Sequence, residues 1–381
     1  MKIFIEGTPL FSNTRSGVGQ YVKRLTEAMQ DLRPENDYTV FGFHFITKRK
    51  LPNDDISTVF SRKYIRLIPG RAYNLLYKKM FKLPIDVLLR SKPDVVLYGN
   101  FAYWPLWSGA KSIVVIHDLG FIDVPDYVEV KNRRFLQKFV PYSVNKATHV
   151  VTISDHARRR IIDTYKIDPE KISIVQPSID HSIYYPRNDE EIRTSNTQYK
   201  LPTNYFLFVG TLEPRKNIVG LLDAYAQLPQ TVTEKYPLVL VGGRGWADEE
   251  IQERLVRYKD LPIIRPGYVH DDHLPAMISG ARALLWPTFY EGFGMPPLEA
   301  MACGTPVLTS NTTSLPEVVG ESALTVNPFD NDEIRDNIFK LATDDKLCKK
   351  LSSLGIKQAR KFDWNKSAQQ MFEVIDLITT K

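Results

Sequence analysis

Four side chains in the second half of the chain have the types and spacing for chemistry on a phosphorylated, hydroxyl-rich ligand. Two are carboxylates, Glu291 and Glu299, inside the stretch ALLWPTFYEGFGMPPLEAMACG, Ala283–Gly304. An apolar run leads there into a glycine turn, Glu291-Gly292-Phe293-Gly294. Pro296 and Pro297 suit a first helical turn, where a missing N–H costs nothing. Gly304 is placed to end the helix in the left-handed conformation. A glycine-lined helix start is an anion site, because unpaired N–H groups and the helix dipole both favour negative charge. Glu299 is expected in the helix's first turn. Carboxylates accept hydrogen bonds from hydroxyls. A plain strand-turn-helix with solvated acids is the alternative, but the combination is too particular for it.

The other two are cations, Arg215 and Lys216, in Phe208-Val-Gly-Thr-Leu-Glu-Pro-Arg-Lys-Asn217. A helix start repels cations. Two of them there point to an anionic ligand rather than to solvation. In the first half, Arg15-Ser-Gly17-Val-Gly19 opens a helical pattern, with Val22 where a dinucleotide fingerprint needs its third glycine, so a nicotinamide-cofactor reading fails. His117 and Asp118 end one apolar run, and Thr152-Ile-Ser154 ends the next. Ser154 reads equally as a helix N-cap or a ligand contact. His270 and His273 lack a third ligand for a catalytic metal, and Asp271 and Asp272 read as caps. Asp330 and Asp332 read as helix-capping acids. Cys303 reads as packed rather than nucleophilic.

The elements that must hold these residues are short buried strands alternating with helices. Apolar runs lie at Lys2–Glu6, Val95–Tyr98, Ile113–Ile116, His149–Ile153, Tyr205–Val209, Leu238–Val241 and Ala283–Trp286. Runs apolar throughout belong to strands covered on both faces, as in parallel sheets with crossover helices. A break rich in proline and polar residues spans 177–204. Two doubly wound α/β domains follow, 1–185 and 186–363, with ligands outside the carboxyl ends of the strands and a cleft between the sheets.

At 381 residues, with 43% hydrophobic and 25% charged residues, the chain can bury two cores and needs neither disulfide nor metal staples. Two cysteines exclude a disulfide scaffold. No apolar run reaches the roughly 20 residues of a membrane helix. The expectation is a cytoplasmic protein, peripheral at most on the inner face of the membrane. Residues 1–185 hold 28 Lys and Arg against 18 Asp and Glu, whereas 186–381 hold 22 against 26. The basic stretch Arg62–Arg90 includes an amphipathic spacing at Tyr73, Leu76, Tyr77, Met80 and Phe81. It reads as a self-packed helix or as a face for anionic lipid or a phosphate-bearing acceptor. No recognition module supports nucleic acid.

Glu291-x7-Glu299 within Gly-Phe-Gly-Met-Pro-Pro resembles the signature of the family 4 retaining glycosyltransferases, and similar segments cover nearly the whole chain. The resemblance implies the GT-B architecture of two Rossmann-like domains. It also implies a nucleoside-diphosphate-sugar donor bound mainly by the second domain, and no metal in the chemistry. By it, Glu291 contacts the transferred sugar and Glu299 the donor ribose. Phe293, Gly294, Met295 and Leu298 line the donor, as do Gly210, Thr211, Val269, Gly17 and Gly19. His117 contacts the sugar, Asp118 orients its imidazole or faces the acceptor, and Ser154 faces the acceptor. Arg215 and Lys216 hold the diphosphate, whose growing charge preorganised cations stabilise in the transition state. Many members carry an arginine right after the strand glycine; here Thr211 stands there. The last helix, Trp364 to Ile378, would cross back onto the first domain. The Gly-Thr-Leu-Glu-Pro-Arg-Lys-Asn variant looks like the mannosyl- and rhamnosyltransferase branch, with GDP-mannose as first donor and a glycan or lipid-linked acceptor. An epimerase on the same architecture, or a non-catalytic nucleotide-sugar-binding protein, are the rival readings.

Overall fold

The structure, a computed structural model, describes residues 1–11, 17–43, 60–65 and 83–380. The amphipathic spacing at Tyr73–Phe81 and the loop residue Arg15 lie outside them. Among the described residues, thirteen strands form two sheets in which every pairing is parallel.

The first sheet holds β1 (Lys2–Glu6), β2 (Asp37–Phe43), β3 (Ser61–Ile65), β4 (Val95–Tyr98), β5 (Lys111–Val115), β6 (His149–Thr152) and β7 (Ile172–Ile174). Their spatial order is β3-β2-β1-β4-β5-β6-β7. The second holds β8 (Phe206–Val209), β9 (Leu238–Val241), β10 (Ile263–Gly267), β11 (Ala283–Trp286), β12 (Val307–Ser310) and β13 (Leu324–Val326). Its order is β10-β9-β8-β11-β12-β13. Both sheets thus wind outward in two directions from a central pair, β1 and β4 in one, β8 and β11 in the other. The strand order reverses there, which is where open sheets of this kind place their ligands.

The central strands are buried on both faces: every residue of β4, β8, β9 and β11 is buried. Burying each large apolar side chain contributes roughly 1.5–3 kcal/mol. Alternating polar residues would forfeit that on one face, so the runs read as continuous apolar stretches. Strand ends differ from the sequence expectation by a residue or two. β5 starts at Lys111 and stops at Val115, β6 stops at Thr152, and β8 starts at Phe206.

The chain divides into two compact units, and the division differs from the expected one. The first unit is 1–119, 130–177 and 364–381; the second is 120–129 and 178–363. The change comes at residue 177 rather than 185 because the following segment is fastened to the second unit. Ile179 bridges to Asp363, and the Arg187 N–H donates to Ser279 Oγ at 3.2 Å. Residues 120–129 join the second unit through rings and hydroxyls: Tyr290 donates to Asp123 at 3.1 Å, and Tyr127 stacks on Phe289.

The helix Trp364–Thr379 packs in the first unit against the helix Gly17–Leu32. Arg33 holds Asp376 by two bonds, at 3.0 and 2.8 Å, and lies 4.3 Å from the Phe372 ring centroid. No helix among the described residues is long and apolar enough to cross a membrane.

Candidate active site

The turn after β8 and the turn after β11 meet at the point where strand order reverses in the second sheet. After β8 the chain stays in the sheet for three more residues. Gly210 N–H donates to Val241, and Leu212 exchanges bonds with Gly243 and Gly245. A side chain at position 242 would put its Cβ 2.0 Å from the Gly210 carbonyl oxygen, so only glycine allows this close approach. A single 3-10 turn, Pro214–Lys216, follows. It ends at Asn217, whose φ of 54° is left-handed, a conformation asparagine tolerates better than most residues.

Asn217 pins this turn in place. Its amide donates to Pro287 at 3.0 Å and to Pro328 at 2.7 Å, and its carbonyl accepts the Gly220 N–H at 3.2 Å. Ser314 does the same for the turn after β11, donating to the carbonyls of Glu291 and Phe293, both at 2.9 Å. The Glu291 N–H donates to Thr313 Oγ1 at 3.3 Å. Neither Asn217 nor Ser314 stood out in the sequence. The only signal for Asn217 was its place directly after the Arg-Lys pair.

The result is a carboxylate held by two cations. Glu291 Oε1 accepts from Lys216 Nζ, and Oε2 lies 3.0 Å from Arg215 Nη1. Arg215 also donates to the Tyr290 carbonyl at 2.7 Å and to Glu213 at 2.9 Å. Lys216 Nζ sits 4.4 Å from the Trp286 ring centroid, a cation–π contact that favours its charge. Glu291 is 7% and Lys216 8% exposed. Burial pushes the Glu291 carboxyl up, but Arg215 and Lys216 outweigh it and hold it below the usual range. Burial and Arg215 hold the Lys216 ammonium below its usual value against the pull of Glu291. Two positive and two negative charges are thus balanced within one small region, and an incoming anion would compete with Glu291 for both cations.

The helix that follows, Met295–Ala302, is capped by Gly294 at φ 120°. A Cβ there would meet Leu315 Cδ2 at 2.7 Å. Because prolines occupy the second and third helical positions, the anion-facing donors are fewer than a glycine-lined helix start suggests. Leu298 N–H already bonds Gly294, which leaves the Met295 N–H and those of the preceding loop. Glu299 is the fifth helical residue, so it lies in the second turn rather than the first. Burial pushes its carboxyl up to about 7, with Asp271 adding to this and a hydrogen bond from Tyr184 opposing it. Leu298 is fully buried, Thr211 is exposed, and Val269 is buried just past the Gly267 end of β10.

In the first unit His117 follows β5 and is buried. Its Nε2 lies 2.9 Å from the Gly99 carbonyl, which can only accept, so Nε2 carries the proton and Nδ1 is the acceptor. Burial lowers its pKa, partly offset by that carbonyl and by Asp118. The ring packs edge-on against Tyr21 at 5.4 Å. Ser154 is fully buried and caps the helix Asp155–Tyr165, accepting the Ala157 N–H at 3.2 Å. Its hydroxyl serves the fold at that point. Gly17 opens the helix Gly17–Leu32 and Gly19 is buried within it.

Three sequence features resolve without a ligand role. Asp330 caps the helix Asn331–Thr343, accepting the Glu333 N–H at 2.9 Å. Asp271 and Asp272 do not cap the helix Leu274–Gly280; His273 stands at its N-cap without a capping bond, and Asp272 pairs with His270 at 3.2 Å. Burial pushes the Cys303 thiol up to about 12, so it is no nucleophile. No group of three or more metal-ligating side chains occurs among the described residues.

Known proteins resemble this chain in sequence or in fold along their whole length. Residues 15–183 match the family model "Glycosyltransferase Family 4" and residues 189–358 match "Glycosyl transferases group 1". O-antigen chain mannosyltransferase B of Escherichia coli is 33% identical over 99% of this chain and 100% of its own. Sucrose-phosphate synthase from Thermosynechococcus elongatus superimposes with a TM-score of 0.76 at 21% identity, covering 100% of this chain and 99% of that one. Anabaena HepE in complex with UDP and glucose gives 0.75 at 17% identity, covering 98% and 99%. With two parallel Rossmann-like sheets, both family models and a full-length relative in agreement, this chain belongs to the GT-B glycosyltransferases of group 1, with a family 4 N-terminal domain.

Proposed function

We propose that this hexosyltransferase transfers mannose from GDP-mannose to a hydroxyl of a lipid-linked surface glycan, with retention, forming an α-linkage. The observation that carries this reading is the Glu291 carboxylate gripped by Lys216 and Arg215 where the turns after β8 and β11 meet. The full-length resemblance to an O-antigen mannosyltransferase supports the choice of sugar and of acceptor. The surplus of basic residues in the first half suits an anionic lipid-diphosphate carrier at the inner membrane face.

The second unit takes the donor. Arg215 offers a planar fork and Lys216 a point charge to the diphosphate. The N–H groups of Gly294 and Met295 meet its oxygens, and Phe293, Leu298, Gly210, Thr211 and Val269 line the nucleotide. Glu299, once ionised, accepts from the ribose. The diphosphate draws both cations away from Glu291, which then accepts from sugar hydroxyls. The first unit takes the acceptor, with His117 positioning the sugar, Asp118 and Ser154 on the acceptor side, and Gly17 and Gly19 allowing close backbone approach. The bond from the anomeric carbon to the phosphate oxygen breaks as the acceptor oxygen bonds on the same face. The acceptor proton passes to the departing diphosphate, whose charge the two cations stabilise most at the transition state.

The test is a thermal-shift panel of GDP, UDP, ADP and dTDP with their sugar conjugates, followed by transfer from the selected donor. A selective rise in midpoint with GDP and GDP-mannose is expected. A selective rise with another nucleotide overturns the donor. No shift with any of them overturns the transferase reading, and an inverted product anomer overturns retention.

A further inference from the structure

Three rings from three separate segments stack beside the cationic turn. Phe289 is the middle ring. Tyr127 lies 4.9 Å from it with planes 11° apart, and Phe329 lies 4.9 Å away at 27°. Phe329 is 69% exposed, so its outer face is open to solvent. The stack is held rigidly. The same Asn217 amide that pins the cationic turn bonds Pro287 and Pro328, each within two residues of a stacked phenylalanine. The Phe289 N–H donates to the Arg215 carbonyl at 3.0 Å, and the Phe329 N–H to Asn327 at 3.1 Å.

A cavity of about 280 Å³ lies against these rings, with Glu250, Asp223 and Asn331 among its polar lining. Asp223 is taken up by Arg254 and Tyr258. Glu250 forms no ion pair among the described residues, and its charge acts on Tyr127. No lysine, arginine or histidine lines the cavity. The only charged side chains in its lining, Asp223 and Glu250, are carboxylates, which disfavour a phosphate. An apolar ligand would leave Glu250 and Asn331 unmatched. An aromatic floor with a carboxylate and an amide at the rim fits a pyranose, whose C–H face lies on a ring while its hydroxyls donate to the rim.

We propose that the Tyr127–Phe289–Phe329 stack is a carbohydrate subsite that holds one neutral sugar residue of a glycan chain beside the site of transfer. On the function proposed above, on which this extension rests, that residue belongs to the acceptor chain. The subsite therefore favours longer acceptors over short ones. Pro214 and Asn217 line the cavity and Arg215 and Lys216 do not, which places the held residue next to the cationic turn without occupying it.

Saturation-transfer NMR with α-linked mannobiose tests this on the whole protein, with GDP binding followed by thermal shift in the same samples. Saturation transfer to mannobiose is expected in the wild type. It should be lost in Phe329→Ala and kept in Phe329→Trp, which restores the ring. With a polymeric acceptor, Phe329→Ala should raise KM about tenfold, the loss of roughly one stacking contact. Equal saturation transfer in wild type and Phe329→Ala overturns the subsite. So does a preference for choline over mannobiose, which would mark a cation site. In the wild type, no saturation transfer to mannobiose while GDP still binds removes the subsite alone. GDP binding lost while mannobiose still binds removes the proposed donor alone.

Discussion

Lys216 and Glu291 are joined by an ion pair across 75 residues of sequence, one from the turn after β8 and the other from the turn after β11. The pair is therefore a product of sheet topology: those strands are neighbours only because the order reverses between them. Lys216→Ala should lower kcat by about two to three orders of magnitude, because the leaving diphosphate loses a preorganised cation. Arg215 stays on Glu291, so the fold should survive, and circular dichroism checks this. Turnover within threefold of wild type would remove Lys216 from its role.

Asn217 should matter first to stability. Asn217→Ala strips three hydrogen bonds and leaves the Pro287 and Pro328 carbonyls without their partner. A loss of about 2–4 kcal/mol is expected from denaturant unfolding. Activity should fall as well, since the cationic turn is no longer pinned. Asn217→Asp keeps only the acceptor half of the grip and should restore the Gly220 bond alone.

Glu299 gives a pH dependence with a definite sign. Its folded pKa, about 7, lies above the unfolded value of 4.5. Between these values the folded chain binds more protons than the unfolded one. Its contribution to stability is therefore full below about pH 4.5 and lost as pH rises through 7. Glu299→Gln should remove that slope, so the difference in melting temperature between variant and wild type should change between pH 5 and pH 8. Parallel curves would show an unshifted carboxyl. Because an ionised carboxylate accepts from ribose hydroxyls more strongly than a protonated one, nucleotide affinity should rise over pH 6 to 8 in the wild type and not in Glu299→Gln.

Gly294→Ala tests the helix start. The backbone sits at φ 120°, and the new methyl would meet Leu315. The expected cost is about 1–3 kcal/mol of strain, together with displaced Gly294 and Met295 donors and weaker nucleotide binding. A variant that melts and binds GDP like the wild type would mean the loop relaxes freely.

The sheets and the Glu291-to-Glu299 device were legible because their signals are local. Runs such as Phe206–Val209 and Leu238–Val241 are apolar throughout, and glycine and proline punctuate 291–306. What escaped depends on partners distant in sequence. Nothing local shows that Asn217 reaches Pro287 and Pro328, or that Ser314 holds two carbonyls of another turn. Residues 120–129 sit amid first-unit sequence, and the Phe289 ring and the Tyr290 hydroxyl, both distant in sequence, help draw them to the second. The prolines at 296 and 297 were read for their backbone fit, and that reading passed over the two N–H groups they take from the anion site.

The helix Trp364–Thr379 sets an order of assembly. As the chain leaves the ribosome, nearly all of the second unit, 178–363, is available before the first has its last wall. Until then Tyr21 lacks the Trp364 ring 6.0 Å away, Arg33 lacks Asp376, and the apolar side of the helix Gly17–Leu32 stays uncovered. The half of the molecule made first is thus finished last. Folding of the N-terminal unit is therefore conditional on residues 364–381, and a chain cut before Trp364 keeps every strand of both sheets while leaving the first unit without that wall.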